Sequence, residues 1–215
     1  MSGTQHTVAG YAHDGHVEIY GVIDSINYAD SSSFFRYQYP SRLPDAVKQR
    51  AGELAKTVME HVGFRDWPFN IEFFYDADGD GLMLLEINTR ISQSHSDLFA
   101  KVDGTSNHEV LVKLSTGETP DPPAGEGEFD CASKFHVRHF DDGTITRVPG
   151  ADDVERLQEE IPGALVIVQV SEGDRLSELA DQDAYSYRLG VVYLGADDDE
   201  ELLERWERAR ELLPF

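Results

Sequence analysis

Residues 69–90, FNIEFFYDADGDGLMLLEINTR, contain two strand-like segments separated by a short acidic turn. These segments are residues 69–75 and 82–88; apolar and polar residues alternate over 69–72 and 85–88, which is typical of strands that bury one face. The intervening DADGDG is composed of Asp, Gly and one Ala, and Asp and Gly favour tight turns. The sequence therefore predicts a β-hairpin over this stretch.

One face of the second predicted strand is polar. Glu86, Asn88 and Arg90 occupy alternate positions, and a hairpin partner can bring Glu72 onto the same face. Carboxylate and amide oxygens are ligands that Mg²⁺ accepts, often beside phosphate groups, and the planar arginine fork binds phosphate well. The pattern predicts a divalent-cation site, although an edge hairpin with polar residues facing solvent has the same alternation.

The stretch continues into residues 91–96, ISQSHS, and as a whole resembles the carboxy-terminal half of an ATP-grasp domain. This module occurs in biotin carboxylase, carbamoyl-phosphate synthase and other carboxylate-amine ligases. Residues 6–28 alternate on either side of Asp14-Gly15, a two-residue turn signal that predicts another hairpin. Residues 7–22 resemble the strand pair after that family's nucleotide hinge, and residues 101–120 resemble its closing helix. The resemblance covers residues 6–120 and implies an α+β fold, an antiparallel sheet with packed helices, followed by a small α/β sheet unit.

The resemblance also implies roles for individual residues. Glu72, Glu86 and Asn88 would bind one or two Mg²⁺ ions, or Mn²⁺, that bridge the phosphates of ATP. Arg90 would be the catalytic residue that steadies the transferring phosphoryl group. The implied activity is a Mg-ATP-dependent ligase that joins a small carboxylic acid to an amine through an acyl phosphate.

Ser94 and His95, which follow Arg90 in the sequence, indicate which acid accepts the phosphoryl group. Ser94 stands where bicarbonate-using members of the family have a glutamate, and His95 follows it. Without a carboxylate to deprotonate bicarbonate, we expect an organic acid as the acceptor, contacted by Ser94 and His95. The alternative for His95 is a plain surface or packing role.

Complete members of the family also have a Gly-rich lid, phosphate-contacting lysines and an adenine-binding hinge before the matched region. The first lysine here is Lys48. Three explanations follow: the chain is the back half of a longer ligase, it is a subunit of a split enzyme whose partner carries the amino-terminal half, or it is an inactive ATP-grasp-like binding or structural module. A homo-oligomer is also expected, because a half-domain exposes an apolar face.

The Pro- and Gly-rich segment GETPDPPAGEG, residues 117–127, interrupts regular structure and predicts a domain boundary. We expect an ATP-grasp carboxy-terminal subdomain over residues 1–120 and an α/β domain over residues 128–215. Apolar periodicity predicts a helix at 44–62 and another in the second half of 96–114. In the second domain it predicts a strand pair at 131–148 turning at 141–143, strands at 164–170 and 185–194, and helices at 154–161 and 197–213.

The composition restricts the binding partners. The chain has 215 residues, with 41 Asp or Glu against 18 Lys or Arg and a net charge of −23. Such a surface repels nucleic acid and anionic membranes, and its magnitude indicates a halophilic protein that needs salt to screen its own repulsion. Cys131 is the only cysteine, and no signal peptide or long apolar run is evident, so we expect a cytoplasmic protein.

Overall fold

The computed structural model describes residues 3–180 and 182–215, and the chain divides into two compact units. The first unit contains the described residues up to Ile26 together with Tyr37–Glu128. The second unit contains Asn27–Arg36 and Phe129–Phe215. A short segment from the amino-terminal half of the chain is therefore part of the second unit.

The regular elements of the first half of the chain are five strands and three helices within residues 3–116. Their bounds are β1 (Thr4–His13), β2 (His16–Asn27), β3 (Phe34–Tyr39), α1 (Asp45–His61), β4 (Trp67–Asp76), β5 (Gly81–Asn88), α2 (Ser96–Asp103) and α3 (Asn107–Thr116). A short 3₁₀ helix, Gln93–His95, precedes α2.

Four of these strands form the sheet of the first unit in the order β5-β4-β1-β2, with antiparallel β5/β4, β4/β1 and β1/β2 pairs. The β1-β2 turn is Asp14-Gly15, and both residues have positive φ, 49° and 80°, as the two-residue turns that suit twisted hairpins require. The β4-β5 turn is held by Arg50 of α1, whose Nη1 donates to Asp80 Oδ2 at 2.9 Å. This arrangement confirms both predicted hairpins.

One face of this sheet is covered by α1. Ala51, Ala55 and Met59 of the helix are buried in one cluster with Ile71 and Phe73 of β4. The helix lies at the predicted place because its apolar residues recur at helical spacing. The residues at the alternate positions of the same strands, including Glu72, face the other side of the sheet.

The strand β5 contains a β-bulge. Glu72 pairs with Glu86, but the next residue, Phe73, pairs with Leu84, so Leu85 has no partner in the ladder. A bulge shifts the alternation of a strand by one residue. Leu84 and Ile87 therefore share the helix-covered face although they are three positions apart, and Glu86 remains on the opposite face.

The second unit has its own core, and three strands lie wholly within it. Its elements are β6 (Cys131–His139), α4 (Ala151–Glu160), β7 (Leu165–Val168), β8 (Tyr187–Ala196) and α5 (Asp199–Leu212). The strand order is β6-β8-β7, with antiparallel neighbours. Phe135 of β6 stacks on Trp206 of α5 with ring centroids 4.4 Å apart, and this pair anchors the helix on the sheet. The α+β class is thus confirmed.

The predicted strand pair at residues 131–148 is wrong. Only β6 forms there, its partner is β8, and residue 144 makes an isolated bridge to residue 175. The Asp141-Asp142-Gly143 segment does not close a hairpin because the Asp142 carboxylate binds elsewhere: it accepts hydrogen bonds from Arg175 Nε and Ser177 N, both at 3.0 Å.

Two further elements depart from the sequence expectation. No element was expected at β3, although Phe34–Tyr39 is a strand. The segment predicted to be helical only in its second half holds two helices, α2 and α3, separated at Gly104, whose φ is 79°. No helix among the described residues combines the length and apolar character needed to cross a membrane.

Candidate metal and phosphate site

Two carboxylates and two amides face each other across the β4-β5 ladder. Glu72 lies directly opposite Glu86, and Asn70 lies directly opposite Asn88. Asn70 and Asn88 are buried, Glu72 is half-buried and Glu86 is exposed. The ladder therefore places four oxygen-bearing side chains on the sheet face opposite α1.

The carboxyl of Glu72 has a raised pKa. Burial and the neighbouring Glu86 raise its pKa, while a hydrogen bond from Gln5 and the charge of Arg90 act in the opposite direction. The Gln5 Nε2 atom donates to Glu72 Oε2 at 2.6 Å. Two facing carboxylates that repel one another are stabilised when a cation is shared between them.

Arg90 follows the end of β5, in a bend. The Asn70 side chain fixes this bend, because its Nδ2 donates to the Arg90 backbone oxygen at 2.8 Å. The guanidinium itself is exposed, and its Nη1 donates to the Ile91 backbone oxygen at 3.2 Å. The backbone of Arg90 is thus anchored while its charged end stays accessible.

Ser94 and His95 belong to the short 3₁₀ helix after this bend. His95 is 4% exposed, and its ring meets the Tyr37 ring edge-on, with centroids 5.3 Å apart. Ser94 is half-buried. Contact of either residue with a substrate stays a prediction.

The structure thus brings Glu72, Glu86 and Asn88 together and sets the Arg90 charge close enough to act on Glu72. The roles of these residues as ligands or catalyst stay predictions. Sequence reasoning missed Gln5 and Asn70. Asn70 could have been found by the same alternation, because it stands two positions before Glu72; Gln5 could not, because its approach depends on the pairing of β1 with β4.

Two sequence comparisons show what this chain is similar to. The family model described as the ATP-binding domain of the carbamoyl-phosphate synthase L chain matches residues 38–121. A D-alanine–D-alanine ligase of Verminephrobacter eiseniae (strain EF01-2) is 31% identical over 93 residues, which are 42% of this chain and 28% of that ligase.

Solved structures extend the similarity to the whole chain. The L-amino acid ligase from Bacillus licheniformis has a TM-score of 0.76 at 16% identity, and covers 100% of this chain and 52% of its own. The fold of this chain is therefore that of about half of an ATP-grasp ligase. The biotin carboxylase domain of Hydrogenobacter thermophilus 2-oxoglutarate carboxylase, solved with MgADP, ADP and bicarbonate, has a TM-score of 0.68 at 18% identity, and covers 98% of this chain and 45% of its own.

The ATP-grasp resemblance found in the sequence is confirmed by these matches. The chain spans 28% of the length of the D-alanine–D-alanine ligase and about half of each of the two ATP-grasp structures. The matched family segment, residues 38–121, contains Glu72, Glu86, Asn88 and Arg90.

Proposed function

We propose that this chain is the metal-binding part of a Mg-ATP-dependent ligase that joins a carboxylic acid to an amine. The observation that carries the proposal is the direct pairing of Glu72 with Glu86 across the β4-β5 ladder. The similarity to ATP-grasp ligases supports the reaction class. The remaining contacts to the nucleotide would come from the rest of a longer protein, from a partner subunit or from a second copy.

The donor set suits Mg²⁺ or Mn²⁺. Glu72, Glu86 and Asn88 offer oxygen atoms, the ligand type that these hard cations prefer. The pKa of Glu72 is raised by burial and by Glu86, so a bound dication would relieve a repulsion that the protein otherwise carries. When bound, the metal would supply charge neutralisation at the ATP phosphates.

In the proposed reaction, an oxygen of the substrate carboxylate attacks the γ-phosphorus of ATP, the bond to the bridging oxygen breaks, and ADP leaves. An amine nitrogen then attacks the acyl carbon, the carbon-oxygen bond to phosphate breaks, phosphate leaves, and the amine loses a proton to solvent. Phosphoryl transfer depends on positioning and charge neutralisation. Arg90, anchored through its backbone by Asn70, would hold the phosphoryl oxygens, as a planar fork can.

The acceptor is proposed to be an organic acid. Ser94 provides a hydroxyl where bicarbonate-using relatives have a glutamate, so no carboxylate is available at that position to act as a base. Ser94 and His95 follow the Arg90 bend within five residues. We place the carboxylate substrate beside these two residues and the amine beyond it.

The first experiment measures Mn²⁺ binding to the chain by electron paramagnetic resonance, in high salt. Glu86→Gln and Asn88→Ala each remove one proposed ligand and should lower the Mn²⁺ affinity about tenfold or more. Matched controls are Glu53→Gln on the exposed side of α1 and Asp78→Asn in the acidic β4-β5 turn. Both should leave the affinity unchanged.

An equal loss of Mn²⁺ affinity in Asp78→Asn would mean that the metal binds at the turn. Unchanged Mn²⁺ affinity in Glu86→Gln would contradict the proposed site. In the complete protein, Glu86→Gln should abolish ATP-dependent ADP release without changing the urea midpoint. Normal ADP release by that variant would contradict the proposed reaction.

A further inference from the structure

A cavity of about 530 Å³ lies within the second unit. This volume is in the range of small-molecule sites, roughly 300–1,000 Å³. Its lining comes from residues 27–29, β3, the end of β6, β8, α5 and the residues that follow α5. The lining residues include Tyr28, Ala29, Phe35, Arg138, Trp206 and Arg210. None of the proposed metal ligands is among these residues.

The inner wall of the cavity is aromatic and fixed in place. Phe35 meets Tyr28 edge-on at a centroid distance of 5.0 Å and meets Trp206 edge-on at 5.9 Å. Trp206 is 4% exposed and is held from behind by its stack on Phe135. Rings packed on one another in this way present a preformed apolar surface to a flat ligand.

Two arginines line the cavity. Arg138 is nearly buried, with its Nε donating to the Phe34 backbone oxygen at 3.1 Å and its guanidinium paired with Asp183. Arg210 is exposed on the last turn of α5 and pairs there with Glu207. Burial raises the pKa of Tyr28, and Arg138 and Arg210 both act to lower it, so both cations influence the same side of the cavity.

The charge at the cavity is balanced, unlike that of the whole molecule. The chain carries a net charge of −23, whereas Arg138 and Arg210 at the cavity are each paired with one carboxylate, Asp183 and Glu207. Positive groups at the mouth of an apolar pocket attract and orient anions. Exposed Arg210 is the cation best placed to meet an incoming ligand, because its pairing with Glu207 is at the surface, where such pairs are weak.

We propose that this cavity is a binding site for a small aromatic carboxylate, with the ring against Phe35 and Trp206 and the carboxylate at Arg210. The site goes beyond the proposed ligase chemistry. It requires only the second unit's residues, and it can be tested without ATP or metal.

The probe is 8-anilinonaphthalene-1-sulfonate, an aromatic anion that fluoresces in apolar sites. The chain has two tryptophans, Trp67 and Trp206, so Trp67→Phe leaves Trp206 as the only tryptophan, and selective excitation of tryptophan makes it the energy donor. In this background, binding in the cavity should give energy transfer from Trp206 to the probe. Absence of transfer in the folded chain would overturn the proposal.

Two variant pairs locate the probe. Arg210→Gln should weaken binding about two- to fivefold, the effect expected of one exposed charge. Arg208→Gln is its control, because Arg208 lies on the same helix, pairs with Glu160 and Glu211, and does not line the cavity. Ala29→Phe should block the cavity, whereas Ala151→Phe on exposed α4 should not.

Competition tests the ligand chemistry. Expected is displacement of the probe by 3-phenylpropionate and not by 3-phenylpropan-1-ol, which has the same body without the charge. Equal displacement by the alcohol would overturn anion recognition. Equal weakening in Arg210→Gln and Arg208→Gln would show a general charge effect and would overturn the placement at Arg210.

Discussion

At the scale of the residue, the site is defined by how Glu72 is held. Its oxygen accepts from Gln5 at 2.6 Å, its partner across the ladder is another carboxylate, Glu86, and these neighbours act on its pKa in opposite directions. A metal ligand must be deprotonated to bind. The Gln5 amide therefore favours the binding-competent state of Glu72.

Gln5→Leu tests this role. Loss of the hydrogen bond should raise the pKa of Glu72 further, so that Mn²⁺ binding, which strengthens as Glu72 loses its proton, requires a higher pH. The binding curve of Gln5→Leu should therefore lie at higher pH than that of the parent chain. Mn²⁺ titrations by electron paramagnetic resonance between pH 5 and 8 measure it.

The control is Gln49→Leu, which removes an exposed Gln49–Glu53 hydrogen bond on α1. Its binding curve should superimpose on that of the parent chain. Superposition of the Gln5→Leu curve as well would show that Gln5 does not act on the ligand.

The sequence revealed the residues of this site that share one alternating strand. Glu86, Asn88 and Arg90 could be assigned to a common face from spacing alone. Asn70 shares the alternation of Glu72, but its bond to a backbone oxygen in a bend could not be foreseen from spacing. Gln5 could not be assigned at all in this way, because its bond to Glu72 joins residues 67 positions apart.

At the scale of the element, the sequence pattern predicted hairpins and helices that are specified by neighbouring residues. It did not predict the pairing of strands that are far apart in the chain. The two hairpins and α1 were predicted because each is specified by its own residues, through Asp-Gly turns and a helical apolar stripe. The predicted partner of β6 was wrong, because β6 pairs with β8, some 50 residues later. Nothing in the spacing of either strand specifies that partner.

The packing of α1 on the sheet supports the site, because α1 contacts the face of β4 opposite to Glu72. Met59 is fully buried in that contact. Met59→Ala should reduce the free energy of unfolding by about 2–5 kcal/mol, since it removes apolar contacts and leaves a cavity. Urea denaturation in high salt measures the change.

Met83→Ala is the matched substitution on β5, where the side chain is 47% exposed. It should change the free energy of unfolding by no more than about 0.5 kcal/mol. A similar loss in both variants would mean that α1 does not stabilise the sheet through Met59.

At the scale of the whole molecule, charge dominates. With 41 acidic and 18 basic residues, the folded chain concentrates like charges that the unfolded chain can separate. Salt reduces this repulsion, with a Debye length of about 3 Å at 1 M. The thermal midpoint followed by circular dichroism should therefore rise steeply with KCl, and the chain should loosen in dilute buffer.

A charge-reduced variant provides the comparison. Glu159→Lys with Glu204→Lys changes two exposed positions and takes the net charge from −23 to −23 + 4 = −19. It should lose less stability on dilution than the parent chain. An unchanged melt of the parent chain in dilute buffer would contradict the salt dependence.

The unpaired Leu85 has a consequence for how this strand can vary. The ladder skips that residue. Leu82 and Leu84, which pack against the core, therefore alternate independently of Glu86 and Asn88 on the other side of the bulge. Substitutions at residues 82 and 84 can fit a different helix while Glu86 and Asn88 stay on the opposite face of the sheet. One part of this eight-residue strand thus serves packing and the other carries the proposed ligands. Substitutions in one part need not alter the other.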